Sequence, residues 1–176
     1  TIGAKNVHAQ YGYTGAGVGV AVIDSGVTGW HDDLTMANRQ GQRVTAFMDF
    51  VNGQSQKYDD WGHGTHVAGI IAGNGYDSQG SRKSIAPGAN IIALKALDGE
   101  GKGRISYIIA ALDWAIANRQ QYNIRVINMS LGAGVLLSAA SFKVASDALI
   151  LAGATSTTGG MIAGAATFSI ANAALV

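Results

Sequence analysis

The stretch Gly17-Val18-Gly19-Val20-Ala21-Val22-Ile23-Asp24-Ser25-Gly26 decides the fold class. Its apolar residues stand at successive positions, not alternate ones, until Asp24 ends the run. A strand of that kind is covered on both faces, the condition met in parallel sheets. Runs of similar character lie at 44–51, 90–97, 124–129 and 149–152. Helical patterns fall between them. Ile105, Ile108, Ile109, Leu112 and Ile116 line one helical face. A second helix is read over 63–72, where Gly64, Ala68, Gly69 and Ala72 let neighbouring backbone approach, and a third over 136–147. Strands alternating with helices predict an α/β fold, a parallel sheet flanked by helices on both faces. In such sheets, sites form beyond the carboxyl ends of the strands.

Composition narrows the functional classes. The 176 residues carry a net charge of +1 and no basic cluster, which argues against a nucleic-acid partner. Zero cysteines exclude a disulfide scaffold, a thiolate metal site and a cysteine nucleophile. The 25 glycines come with a single proline and no collagen-like period, so low-complexity disorder is excluded as well. Charge is uneven along the chain: beyond residue 132 only Lys143 and Asp147 are ionisable. That tail contains Gly160-Met161-Ile162-Ala163-Gly164, a spacing seen in packed membrane helices. Polar residues from Thr155 to Thr158 and at Thr167, Ser169 and Asn172 interrupt any span, so no membrane partner is expected. The start, Thr1-Ile2-Gly3-Ala4-Lys5, has neither an initiator Met nor a signal peptide and reads as processed. Gly15, Gly17 and Gly19 precede their strand instead of forming the turn after it, which excludes a dinucleotide cradle.

Three segments carry chemistry. In Val22-Ile23-Asp24-Ser25-Gly26-Val27 a carboxylate stands at a strand's carboxyl end, where an isolated Asp is most often a turn or cap residue. In Trp61-Gly62-His63-Gly64-Thr65-His66-Val67-Ala68-Gly69 the ring of His63 is flanked by glycines that leave it unscreened. His66 reads as structural. The two histidines suggest a metal pair, yet the glutamate of HExxH is missing and no further His or Cys completes a set, so no metal ligand is assigned. In Val126-Ile127-Asn128-Met129-Ser130-Leu131-Gly132 a buried strand runs into an edge of small residues.

Taken in this order, VIDSGV, GHGTHVAG and NMSLG resemble the subtilisin-like serine proteases, the subtilases. The likeness covers residues 2–132 and includes Ile85-Ala86-Pro87-Gly88-Ala89 and the stretch from Lys95 to Gly103. It implies a secreted endopeptidase acting on polypeptides through an Asp-His-Ser triad. Asp24 would orient and stabilise the imidazole, and His63 would be the general base and acid. Gly101 and Gly103, with Ser130, Leu131 and Gly132, would be two extended segments holding substrate as an added strand. The chemistry implies no cofactor. Asp33 matches a carboxylate that helps bind calcium in some relatives, and the 74–83 loop lies where they supply further oxygens, so a structural calcium is allowed.

Under this reading residues 1–132 form the N-terminal part of a catalytic domain, and 133–176 continue it in a register with two alternatives. In the collinear one, Leu149 to Gly153 is the next strand and Thr155-Ser156 falls at the oxyanion site. A missing C-terminal segment would then hold the nucleophile. In the other, Ser156 opens a degraded serine segment. The competing function is an inactive or truncated fragment that binds peptide without cleaving it.

Overall fold

The computed structural model describes residues 2–36 and 40–132, and the backbone of three later strands. Its centre is a five-stranded sheet, parallel throughout. The strands are β1 (Gly19–Asp24), β2 (Val44–Asp49), β3 (Asn90–Lys95), β4 (Ile124–Asn128) and β6 (Ile150–Ala152), in the order β2-β3-β1-β4-β6. Helix α2 (His63–Ala72) connects β2 to β3, and α3 (Ile105–Ala117) connects β3 to β4.

Residue parity on β1 explains why both faces are apolar. Val20 and Val22 join Val44, Ile91 and Ala93 against Val67, Ala68 and Ala72 of α2. Ala21 and Ile23 join Ala46, Ile92 and Leu94 against Ala111, Leu112 and Ala115 of α3. The expected arrangement, helices on both faces of a parallel sheet, is therefore the one observed. Val44 and Ala46 share parity but serve opposite faces, because the register with β3 shifts between them. Thr45 is the extra, exposed residue of that bulge. Because both faces are covered, a slip that inverted one strand would exchange side chains between two packed layers, and misfits of that kind cost about 1–3 kcal/mol each.

Three local expectations are corrected. The buried stripe of α3 is Ala111, Leu112 and Ala115, while Ile105 and Ile109 are 58% and 42% exposed. The small alanines allow close packing on β1 and β3; of the expected face Leu112 is buried and Ile108 packs against the same cluster, while Ile105 and Ile109 turn outward. The helix expected over 136–147 contains instead the strand β5 (Phe142–Ala145), paired in parallel with β7 (Phe168–Ala171). Aromatic Phe142 and β-branched Val144 suit a strand. Gly69 does not serve close approach, since a Cβ there would meet nothing within 4 Å. A helix not expected from the sequence, α1 (Ala4–Tyr11), is bounded by Gly3 and Gly12, both left-handed. A short 3-10 helix spans Asp32–Leu34. Among the described residues, no helix is long and apolar enough to cross a membrane.

Candidate active site

Strands β3 and β4, joined through α3, flank β1 on opposite sides, which makes the carboxyl end of β1 a switch point in the strand order. Asp24 is the last residue of β1 and is fully buried. His63 is the first residue of α2, and its side chain is 41% exposed. Its Nδ1 lies 2.8 Å from Asp24 Oδ1 and 3.0 Å from Oδ2. A carboxylate at that distance fixes the proton on Nδ1, which leaves Nε2 as the acceptor. The backbone N–H of Ser25 also donates to Asp24 Oδ1, at 2.7 Å. A buried carboxylate behind an imidazole open to solvent is the pairing needed to take a proton from a hydroxyl and return it.

Sequence and packing explain how the two groups meet. A Cβ at Gly64 would run into the carbonyl oxygen of Gly26 and lie 3.1 Å from Asp24 Cβ. Only glycine lets the first turn of α2 sit against the Asp24 turn. The N-cap residue Gly62 has no side chain with which to cap the helix. Asp59 does so instead: Oδ1 accepts from Gly62 N (2.8 Å) and Trp61 N (3.2 Å). Its Oδ2 accepts from Thr65 N (2.8 Å) and Thr65 Oγ1 (2.6 Å). Burial raises the pKa of Asp59, but the hydrogen bonds from Thr65, Gly62 and Ser25 outweigh it and hold the carboxyl below its ordinary value.

The other expected site residues lie beyond the strand ends beside Asp24. Lys95 of β3 is the register partner of Asp24, and Asn128 of β4 is that of Val22. Past β3, Leu97 forms an antiparallel bridge with Gly103. Gly101 departs from the extended conformation expected of it. Asp98 Oδ1 accepts from Glu100 N and Lys102 N, each at 2.9 Å, and folds a turn in which Gly101 has φ 72° under the ring of Trp61. Past β4, Asn128 Nδ2 donates to Ser130 Oγ at 2.9 Å, Leu131 packs on the α3 side of the core, and Gly132 is exposed. Ser156 and Thr155 lie outside the described residues. His66, expected to be structural, is exposed and lines a cavity of about 450 Å³ with Thr65, Arg82 and Ser84.

Asp59, Asp60 and Lys95 were not singled out from sequence; their signal was only two acids before the histidine and a lysine ending an apolar strand. Near Asp33, the carboxylates of Asp33 and Asp77 and the ring of His31 offer ligand atoms within 4.8 Å of one another. His31 Nδ1 already accepts from Asp33 N, and Asp33 Oδ1 from Asp77 N. Two carboxylates and a nitrogen fall short of the six to eight oxygens of calcium, so this group alone does not make a calcium site.

Comparison with known proteins places this geometry in context. A profile of the Subtilase family matches residues 15–172. The chain is 43% identical over 132 residues to Subtilisin E of Bacillus subtilis (strain 168), covering 74% of this chain and 31% of that protein. It is 45% identical over 123 residues to the Minor extracellular protease Epr of the same organism, covering 69% of this chain and 16% of that one. The crystal structure of a cold adapted subtilisin-like serine proteinase superposes with a TM-score of 0.56 at 33% identity, over 70% of this chain and 40% of the other. The chain thus spans less than half the length of each of these relatives.

Proposed function

The chain belongs to the subtilase family, and from that premise we propose that it is a serine endopeptidase acting on polypeptides. One observation carries the reading: the 2.8 Å contact between His63 Nδ1 and the buried Asp24 carboxylate. In the proposed mechanism Asp24 holds the Nδ1 proton, so Nε2 is free to take the proton of a serine hydroxyl as that oxygen attacks the scissile carbonyl. The imidazolium then formed faces the fixed negative charge of Asp24, and it returns its proton to the leaving amine. Gly103 on one side, and Ser130, Leu131 and Gly132 on the other, would offer backbone groups to an extended substrate, with Gly101 shaping the turn before Gly103. Main-chain pairing of that kind gives affinity without demanding a sequence.

The chemistry needs no cofactor. Action outside the cell is part of the same proposal, supported by the family and by the likeness to an extracellular protease. A fluorophosphonate probe, which reacts with activated serines, tests the proposal on the full chain. Labelling at one serine that disappears in His63→Ala supports it and identifies the nucleophile, and labelling at Ser156 selects the degraded-segment register. No labelling supports the competing reading, a chain that holds peptide without cleaving it.

A further inference from the structure

We propose that Lys95 is a positioning residue that fixes the 97–103 substrate edge against the Asp24–His63 pair. Lys95 ends β3 on the parity of Ile91 and Ala93, so its side chain points to the α2 face, where it is fully buried. Its Nζ donates to Ser25 O (2.6 Å), Leu97 O (2.8 Å) and Asp60 Oδ1 (2.5 Å). Three acceptors take all three N–H groups of an ammonium, so the geometry selects the cationic form. The ring of Tyr58 adds a cation–π contact, 4.9 Å from Nζ to the centroid.

The three acceptors belong to three separate pieces of the site. Ser25 follows Asp24. Asp60 lies on the approach to α2, three residues before His63. Leu97 starts the edge and bridges to Gly103. The backbone already ties Ala96 N and Leu97 N to Asp24 O, at 2.8 and 3.1 Å, but those two bonds allow the edge to pivot about Asp24. The ammonium supplies the third point that stops the pivot. A buried charge is costly unless every hydrogen bond is made, so the three segments cannot drift apart separately without exposing that cost. Lys95 therefore touches neither substrate nor the reacting atoms in this assignment; it sets where they meet. The inference rests on the endopeptidase reading for its consequence, and on geometry alone for its structural part.

The full chain is the material for the test, with Lys95→Met, Asp60→Asn and a control, Lys57→Met, which removes another carbonyl-bound ammonium that touches none of the three segments held by Lys95 (Lys57 Nζ to Val44 O, 2.6 Å). Two measurements are made. One is the ratio of kcat/KM for a hexapeptide anilide to that for an N-acetyl amino-acid ester. The other is the NMR resonances of the Leu97 and Gly103 amides and of the His63 Nδ1 proton. Lys95→Met is expected to lower the ratio about tenfold, through KM, because only the long substrate uses the edge. It should also move all three resonances together. Asp60→Asn acts in the same direction by less, and Lys57→Met moves neither. An unchanged ratio with unmoved resonances in folded Lys95→Met overturns the proposal; if that variant does not fold, the same outcome in Asp60→Asn does so. Should the parent chain cleave neither substrate, the endopeptidase reading fails, and the resonances alone decide the role of Lys95.

Discussion

The hydroxyl of Ser25 donates to Asp59 Oδ1 across 2.8 Å and accepts the backbone N–H of Gly64 at 3.0 Å. This one buried hydroxyl joins the turn carrying Asp24 to the helix start carrying His63. The Asp–His distance is thus set from outside the pair, by a serine and an aspartate that touch no substrate in the proposed mechanism.

Asp59→Ala removes the side-chain cap of α2 and strands the Ser25 hydroxyl. The expected loss is about 1–3 kcal/mol. For a chain of this size each kcal/mol lowers the melting midpoint by about 2–4 °C. A melt followed by circular dichroism checks this, and an unchanged midpoint would show that water replaces the cap at no cost.

Acid sensitivity should follow from Asp49 and Asp59. For Asp49, burial raises the pKa, yet hydrogen bonds from Asn52 N, Tyr58 Oη, Val51 N and Gln54 N prevail and hold it below the ordinary value. Asp59 is lowered in the same manner. A carboxyl depressed by folding stabilises fully above its unfolded value, about 3.9, and loses that contribution as pH falls through the folded value. Urea midpoints should therefore drop below about pH 4. Asp59→Asn should make that acid limb shallower; a limb of unchanged steepness would assign the acid response to other groups.

Gly64 and Gly69 sit on the same helix and should respond oppositely to alanine. Gly64→Ala drives a methyl into the Gly26 carbonyl oxygen and is expected to cost about 1–3 kcal/mol or more, with the His63 contact disturbed. Gly69→Ala adds a methyl to open space and should stabilise by up to about 1 kcal/mol through helix propensity. Denaturant titration of the two variants separates the outcomes, and equal effects would show that propensity, not packing, governs both.

Asp24→Asn keeps the shape but not the charge, and an amide presenting its NH2 to Nδ1 favours the wrong tautomer. If the chain carries an activated serine, the rate of fluorophosphonate labelling should fall by about four powers of ten. A fall smaller than tenfold, in a variant with the parent melt, would mean that His63 works without its carboxylate.

Much of this was legible in the sequence for a local reason. Asp24 follows an unbroken apolar run, and His63 stands between glycines, so each announces itself within a few residues. Asp59 acts across the N-cap from three residues upstream of it, and Lys95 looks like an ordinary charge ending a strand because two of its three acceptors, Ser25 O and Asp60 Oδ1, come from distant segments. The α3 stripe is legible only in part because residue type marks apolarity, not fit: Leu112 and Ile108 face the core as expected, Ala111 and Ala115 pack beside them, and Ile105 and Ile109 face outward. The 142–145 strand was misread because a short apolar run allows either period.

The bulge at Thr45 has a further consequence at the rim of the sheet. β2 is an outer strand of the five, paired only with β3 among the described residues, and an unprotected outer strand invites another polypeptide to stack on it. The extra residue bends that border, and the Lys57 ammonium occupies the Val44 carbonyl along it. The feature that sorts side chains between the two layers of the interior thus also makes this border a poor match for the edge of a further strand.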